Sequence, residues 1–171
     1  MPRYVALLRG VSPMNAKMAD LRRCFEGAGF ADVRTVRSSG NVVFDATSRS
    51  ESALTRRIEA SMAEQLGRTF YTIVRPTSHL RKLLEADPYA PFHLAANAKR
   101  VVTFLAEPHT GKLSLPLGSD GARILALKGR EVYSAYVPDP RGPNFMVLIE
   151  KSFGTNVTTR TWETVQKCAA A

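Results

Sequence analysis

Short apolar runs and helical-period stripes alternate along the chain. Residues 4–8, Tyr-Val-Ala-Leu-Leu, form an unbroken apolar run, the pattern of a central strand covered on both faces. Arg9-Gly10 ends it, and Ser12-Pro13 marks a turn, because proline biases its predecessor away from the helical region. Asn15 is then placed as the N-cap of a first helix. Met18, Leu21, Phe25 and Ala28 follow at spacings that keep them on one helical face, and Gly29 stops the helix. Residues 32–37 read as a strand, Ser39-Gly40-Asn41 as a tight turn and Val42-Val43-Phe44 as the returning strand. The polar stretch 47–52 supplies an N-cap for a helix carrying Leu54, Ile58, Met62 and Leu66, which Gly67 ends. Residues 70–75 are a strand closed by Pro76, and Thr77-Ser78 cap a short helix with Leu80, Leu83 and Leu84.

Residues 88–98 carry proline and alanine without any period and read as a linker. Beyond them, residues 100–106 are a strand. The Pro/Gly-rich stretch 107–121 holds at most a short helix around Lys112 to Leu115. Residues 123–127 and 131–137 are strands joined by a hairpin turn at Lys128-Gly129-Arg130, and 138–143 form a stiff loop. Asn144 caps a helix with Phe145, Leu148, Ile149 and Phe153, ended by Gly154. A short strand at 157–160 and a last helix capped by Thr161 complete the chain.

The order strand, helix, strand, strand, helix, strand and trailing helix occurs twice, with a poor first helix in the second copy. Two split β-α-β units of this kind give an α+β protein of two tandem ferredoxin-like (βαββαβ plus helix) units, at 1–87 and 99–171 with the linker between. The repeat is architectural; no residue-level identity between the halves stands out.

Composition changes this picture little. The 171 residues are 44% hydrophobic and 23% charged, ordinary for a globular protein. No apolar run spans a bilayer and no signal-type segment opens the chain, so the expectation is a cytoplasmic protein with no membrane partner. Cys24 and Cys168 read as free structural thiols. His79, His93 and His109 lack metal-ligand spacing, and neither metal nor cofactor is implied. The net charge of +9 favours anionic partners, although it is spread over both halves without a basic tail or block.

The candidate chemistry follows from topology. In a split β-α-β unit the loop after the first strand and the turn after the second lie at one end of the sheet. Arg9, Gly10, Ser12 and Asn15 are thereby expected beside Ser38, Ser39, Gly40 and Asn41, with Arg37 adding charge if it faces the same way. A helix N-terminus, glycines, hydroxyls and an arginine suit an anion. The same residues also suit plain turn-making and capping. No phosphate-loop or dinucleotide motif, no nucleophile–base arrangement and no paired carboxylates accompany them. A second polar cluster, 155–162, centres on Arg160, beside Trp162, which is expected to pack in the core rather than stack on a ligand.

Residues 4–11, then Lys17-Met18-Ala19-Asp20-Leu21, then Ser39-Gly40-Asn41-Val42-Val43-Phe44, and finally Thr158-Thr159-Arg160 with Trp162, Thr164-Val165 and Lys167, resemble the bacterial family called domain of unknown function 1697. The resemblance covers nearly the whole chain and implies a duplicated ferredoxin-like α+β fold with no established activity. Ser12 and Met14-Asn15 stand where many members carry asparagine and glycine, and Thr161 and Glu163 where asparagine is usual.

The reading that follows is a non-enzymatic, cytoplasmic protein binding an anionic ligand, a phosphorylated small molecule or nucleic acid. Arg9, Gly10, Ser12, Asn15, Ser39, Gly40, Asn41 and Arg160 are the candidate ligand-binding residues, and none is assigned as catalytic. The alternatives are an enzyme on a small anionic substrate held by Arg9 and Arg160 in a cleft between the two units, or a structural, oligomerising protein. The oligomeric state is not legible in the sequence.

Overall fold

The apolar run at the start of the chain becomes the strand next to the middle of a sheet. In the computed structural model, which describes residues 1–47, 50–119, 121–139 and 144–171, the chain divides into two compact units. One comprises Met1–Lys82 with Gln166–Ala171, the other Leu83–Val165. The first runs β1 (Arg3–Leu8), α1 (Met18–Gly27), β2 (Ala31–Val36), β3 (Asn41–Asp45), α2 (Glu51–Leu66) and β4 (Thr72–Pro76), followed by α3 (Thr77–Ala86), in which the division falls. Its sheet has the order β2-β3-β1-β4 with every neighbour antiparallel.

Residues of alternate parity explain why β1 is apolar from residue 4 to residue 8. Tyr4, Ala6 and Leu8 share a core with Phe44 and Val74, with Leu21, Cys24 and Phe25 of α1, and with Leu54, Ile58 and Met62 of α2. The intervening Val5 and Leu7, with Val43 and Ile73, are buried as well. Phe44 is the hub of the first core, 4.4 Å from the Phe30 ring and 5.4 Å from the Phe25 ring. Each such side chain taken out of water contributes about 1.5–3 kcal/mol. Ser61 Oγ donates to the Cys24 carbonyl at 2.7 Å and ties α2 to α1.

Helix ends follow the sequence in part. Ser50 caps α2, its Oγ accepting from the Ala53 amide at 3.1 Å, and Gly67 closes the helix in the left-handed region at φ +70°. Gly29, at φ +93°, ends α1. Asn15, however, is not the cap of α1. That helix begins at Met18 with Lys17 in the capping position, and the Lys17 side chain makes no capping bond. Asn15 is engaged inside the preceding loop instead. Thr77 is likewise the first residue of α3 rather than its cap, and its hydroxyl donates to the Arg3 carbonyl at 3.3 Å.

The second unit contains β5 (Lys99–Leu105), β6 (Leu117–Ser119), β7 (Ala122–Lys128), β8 (Glu131–Tyr136), α4 (Asn144–Phe153), β9 (Val157–Thr161) and the start of α5 (Trp162–Ala170). Its antiparallel sheet has the order β6-β7-β8-β5-β9. The short helix expected at 112–115 is not formed. That segment lacks regular structure and leads into β6, an edge strand on β7. Gly111 and Pro116 bracket a span too short to nucleate a helix, and Pro116 offers no amide to continue one. Thr161 does cap α5, accepting from the Thr164 amide at 3.2 Å. Asn144, placed as the cap of α4, is its first residue, and most of the loop at 138–143 lies outside the described residues.

Residues 88–98 form a series of turns, and they are anchored. Tyr89 is buried, donates its hydroxyl to the Val101 carbonyl, and meets the rings of Trp162 and Tyr133 edge-on at 5.0 and 5.9 Å. Trp162 is thus a core residue of its unit.

The two sheets share more than strand order. In the first, Val5 pairs with Arg75 and Leu7 with Asn41. In the second, Val102 pairs with Arg160 and Phe104 with Glu131. The order β4-β1-β3-β2 therefore matches β9-β5-β8-β7 in direction and in register. The class is α+β, with two antiparallel sheets and five helices among the described residues. Among the described residues, no helix is long and apolar enough to cross a membrane.

Candidate functional site

Strand β1 ends at Leu8, and the chain then turns away through residues 9–15. The β2–β3 turn, 37–40, returns at the same end of the sheet, because β2 and β1 are parallel with β3 between them. The two segments are locked together. The Leu8 amide donates to the Gly40 carbonyl at 2.9 Å. Gly40 is buried at φ +88°, and a Cβ there would lie 2.9 Å from Val11 Cβ and Cγ2 and 3.0 Å from Leu8 Cβ. Only glycine accepts both the backbone angle and the approach. The Arg9 amide donates to the Tyr71 carbonyl at 2.8 Å, which fixes the start of the loop to the segment before β4.

The polar groups in this region bind one another. Asn15 Nδ2 donates to the Gly10 carbonyl at 2.8 Å, and its Oδ1 accepts from the Ser12 amide at 2.9 Å. Ser12 Oγ accepts from the Met14 amide at 3.3 Å. Across the turn, Asn41 is fully buried; its Nδ2 donates to the Val36 carbonyl at 2.9 Å and to Ser39 Oγ at 3.2 Å. These are Asx- and Ser-type local bonds that give each loop one shape. At the start of α1, Asp20 stands in the first turn and pairs with Arg23. A carboxylate therefore already occupies the positive end of that helix. Above this frame Arg37, Ser38, Ser39, Met14 and Lys17 are exposed and Arg9 is half-buried. Arg37 takes a left-handed backbone at φ +58° within the turn.

Seven of the eight residues singled out in the sequence, Arg9, Gly10, Ser12, Asn15, Ser39, Gly40 and Asn41, are thus brought to one end of the first sheet. Arg160 belongs to the second unit, on β9, where it is buried and donates from Nη1 to the Thr159 carbonyl at 2.9 Å. Its neighbours include a hydroxyl pair, Thr103 Oγ1 to Thr159 Oγ1 at 2.9 Å.

Arg75 escaped the sequence reading. It is 1% exposed, the largest fully buried side chain among the described residues, and sits at the position of β4 that Arg160 occupies in β9. Its Nη1 donates to the Val74 carbonyl at 3.2 Å, the same contact to the preceding residue that Arg160 makes, and lies 3.9 Å from Glu51 Oε1. The signal was present: each unit's last strand has five residues with arginine fourth, and a helix begins two residues after it. Without the register, the matching strand ends were not aligned.

Comparison with known proteins agrees with this architecture. Residues 1–133 match the family described as "Protein of unknown function (DUF1697)". A conserved bacterial protein from Streptococcus pneumoniae has a similar structure, with a TM-score of 0.72 and 19% identity over 99% of this chain and 97% of that one. That likeness concerns the fold. No curated protein matches. The chain belongs to the DUF1697 family.

Proposed function

We propose that this DUF1697 member is a binding protein for the phosphate backbone of a nucleic acid, with the loop 9–15 and the turn 37–41 as its contact edge. The observation that carries the reading is the lock between the two segments, the Leu8–Gly40 bond and the Gly40–Val11 approach. It sets Arg9, Lys17 and Arg37 at one end of one sheet on a rigid support. The internal bonding of Ser12, Asn15 and Asn41 argues against a small phosphorylated molecule cradled by loop amides. What the edge offers is positive charge, at exposed Lys17 and Arg37 and half-buried Arg9, in a chain of net charge +9. Charge without directed donors suits a polyanion, whose binding rests on counterion release rather than on shaped hydrogen bonds. The fold behind the edge is read as two tandem ferredoxin-like units, the second having β6 in place of its first helix. The shared strand order and register support that reading.

The test is fluorescence anisotropy with labelled single- and double-stranded oligonucleotides at several salt concentrations. Binding should weaken with salt, and the Arg9→Ala/Arg37→Ala variant should lower the slope of log K against log salt by about two units, one per lost phosphate contact. Absence of binding at low salt, or an unchanged slope in the variant, removes the edge as the contact. A thermal shift with inorganic phosphate or ATP, and none with oligonucleotide, would instead establish a small anionic ligand.

A further inference from the structure

Arg100 and Arg123 stand in one row across the second sheet. Arg100 of β5 pairs with Ala135 of β8, and Ala135 pairs with Arg123 of β7. Residues directly opposite in antiparallel strands send their side chains to the same face, so both arginines leave one face with the Ala135 methyl between them. Neighbouring strands lie about 4.8 Å apart, which puts the two arginine Cα atoms roughly 10 Å apart. Ala135 is buried, and beside it is a hollow of about 220 Å³ lined chiefly by Ala135, Arg123, Gly121, Val137 and Leu94. The Val137 amide donates to the Gly121 carbonyl at 2.8 Å, which fixes that wall. A second hollow, of about 390 Å³, adjoins the first: Leu94, Ala95 and Ala98 line both, and Arg100 lines the second.

Neither guanidinium is neutralised. Both arginines are exposed, and among the described residues neither side chain makes a hydrogen bond or an ion pair. Arg100 rests over the Tyr89 ring, 5.8 Å from its centroid, and that ring is held edge-on by Tyr133 and Trp162. A guanidinium over a ring keeps its N–H donors, which lie in its own plane, for another partner. Asp87 is the acidic residue lining the larger hollow, and it turns its Oδ1 into the protein, out of reach of solvent. The hollows therefore present two cations of one sheet face with no acid between them in the row, a local field that attracts an anion.

We propose that this row binds the phosphate or diphosphate group of a small molecule, seated over Ala135 and gripped by Arg123 on one side and Arg100 on the other. Arginine offers its donors in a planar fork that matches phosphate oxygens. A diphosphate has oxygens enough for both forks, whereas a lone carboxylate is filled by one. Residues 94–98 bound both hollows, so the site fits a compact anion. It lies wholly in the second unit and is independent of the nucleic-acid reading, since neither Arg9 nor Arg37 takes part.

The test uses the full chain in calorimetric and thermal-shift titrations with inorganic pyrophosphate, and with acetate at equal ionic strength as the single-carboxylate probe. Pyrophosphate should raise the melting temperature and give a measurable Kd, with acetate at least tenfold weaker. Arg100→Ala and Arg123→Ala should each weaken pyrophosphate at least tenfold; both side chains are exposed, so the variants keep the fold. Lys128→Ala removes the same charge from the other end of β7 and should leave the Kd unchanged, as should Arg9→Ala/Arg37→Ala. Absence of pyrophosphate binding at millimolar concentration overturns the proposal. So does an unchanged Kd in Arg100→Ala or Arg123→Ala. Equal weakening in Lys128→Ala, or loss of binding in Arg9→Ala/Arg37→Ala, overturns it as well, the first by showing general charge attraction and the second by placing the anion in the first unit.

Discussion

Replacing Gly40 by alanine should cost the first unit roughly 2–5 kcal/mol, and the figure follows from two separable effects. The backbone at Gly40 has φ +88°, and a left-handed conformation costs an L-residue about 1–2 kcal/mol. The new methyl would lie 2.9 Å from Val11 Cβ and Cγ2 and 3.0 Å from Leu8 Cβ. Two of these three atoms are Cβ atoms that move only with their backbone, so relief needs a shift of the loop, typically about 1–3 kcal/mol. Gly10 is the internal control. It has φ +80°, but a Cβ there meets nothing within 4 Å. Gly10→Ala therefore carries only the backbone cost, partly offset by the stiffer unfolded chain, and should come near 1 kcal/mol. Urea unfolding followed by far-UV circular dichroism measures both. In thermal terms each kcal/mol corresponds to about 2–4 °C for a chain of this size. If Gly40→Ala proves no worse than Gly10→Ala, the loop is not packed on the turn, and the edge proposed for phosphate contact loses its support.

Three further outcomes test other parts of the structure. Asn15→Ala should speed amide exchange at Ser12 while leaving α1 intact, because Asn15 bonds to Gly10 and Ser12 and Lys17 holds the capping position; two exposed bonds are together worth about 1–2 kcal/mol. Arg3→Ala should loosen the turn at 168–171, since Arg3 Nε donates to the Ala171 carbonyl at 2.9 Å and its Nη1 pairs with Asp45 at 2.8 Å; amide exchange at Ala171 should accelerate, with a global cost near 1 kcal/mol for the partly exposed ion pair. Burial pushes the Tyr89 and Tyr133 hydroxyls well above the ordinary tyrosine value, so their stabilising contribution is complete below about pH 10. It should be lost as pH rises further, because the unfolded chain releases these protons first. Melting temperature should fall from pH 10 upward, less steeply in Tyr133→Phe; a flat profile would contradict the burial of both rings.

Local signals carried the elements whose cause is local. Ser50, Thr161, Gly29 and Gly67 are helix ends that a short stretch of chain enforces by itself. Asn15 failed as a cap because two partners competed for one side chain. The tertiary fold brings the Gly10 carbonyl and the Ser12 amide within its reach, and the helix starts three residues later. The helix expected at 112–115 failed as well. The span between Gly111 and Pro116 is too short to nucleate a helix, and the residues after it pair with β7 as β6. The buried arginines were half legible: Arg160 stood out in a polar cluster, while Arg75 lay in an ordinary-looking strand.

The sequence by itself determined the α+β class, the succession of strands and helices apart from β6, and which end of the first sheet gathers Arg9 and Gly40. Hydrophobic period, caps and glycines act within a few residues, so they survive without knowledge of the fold. Only the tertiary structure decided how those groups are used. Hydrogen-bond partners and burial depend on neighbours distant in sequence. Packing alone showed that Asn15 and Asn41 hold loops and that Arg75 repeats Arg160.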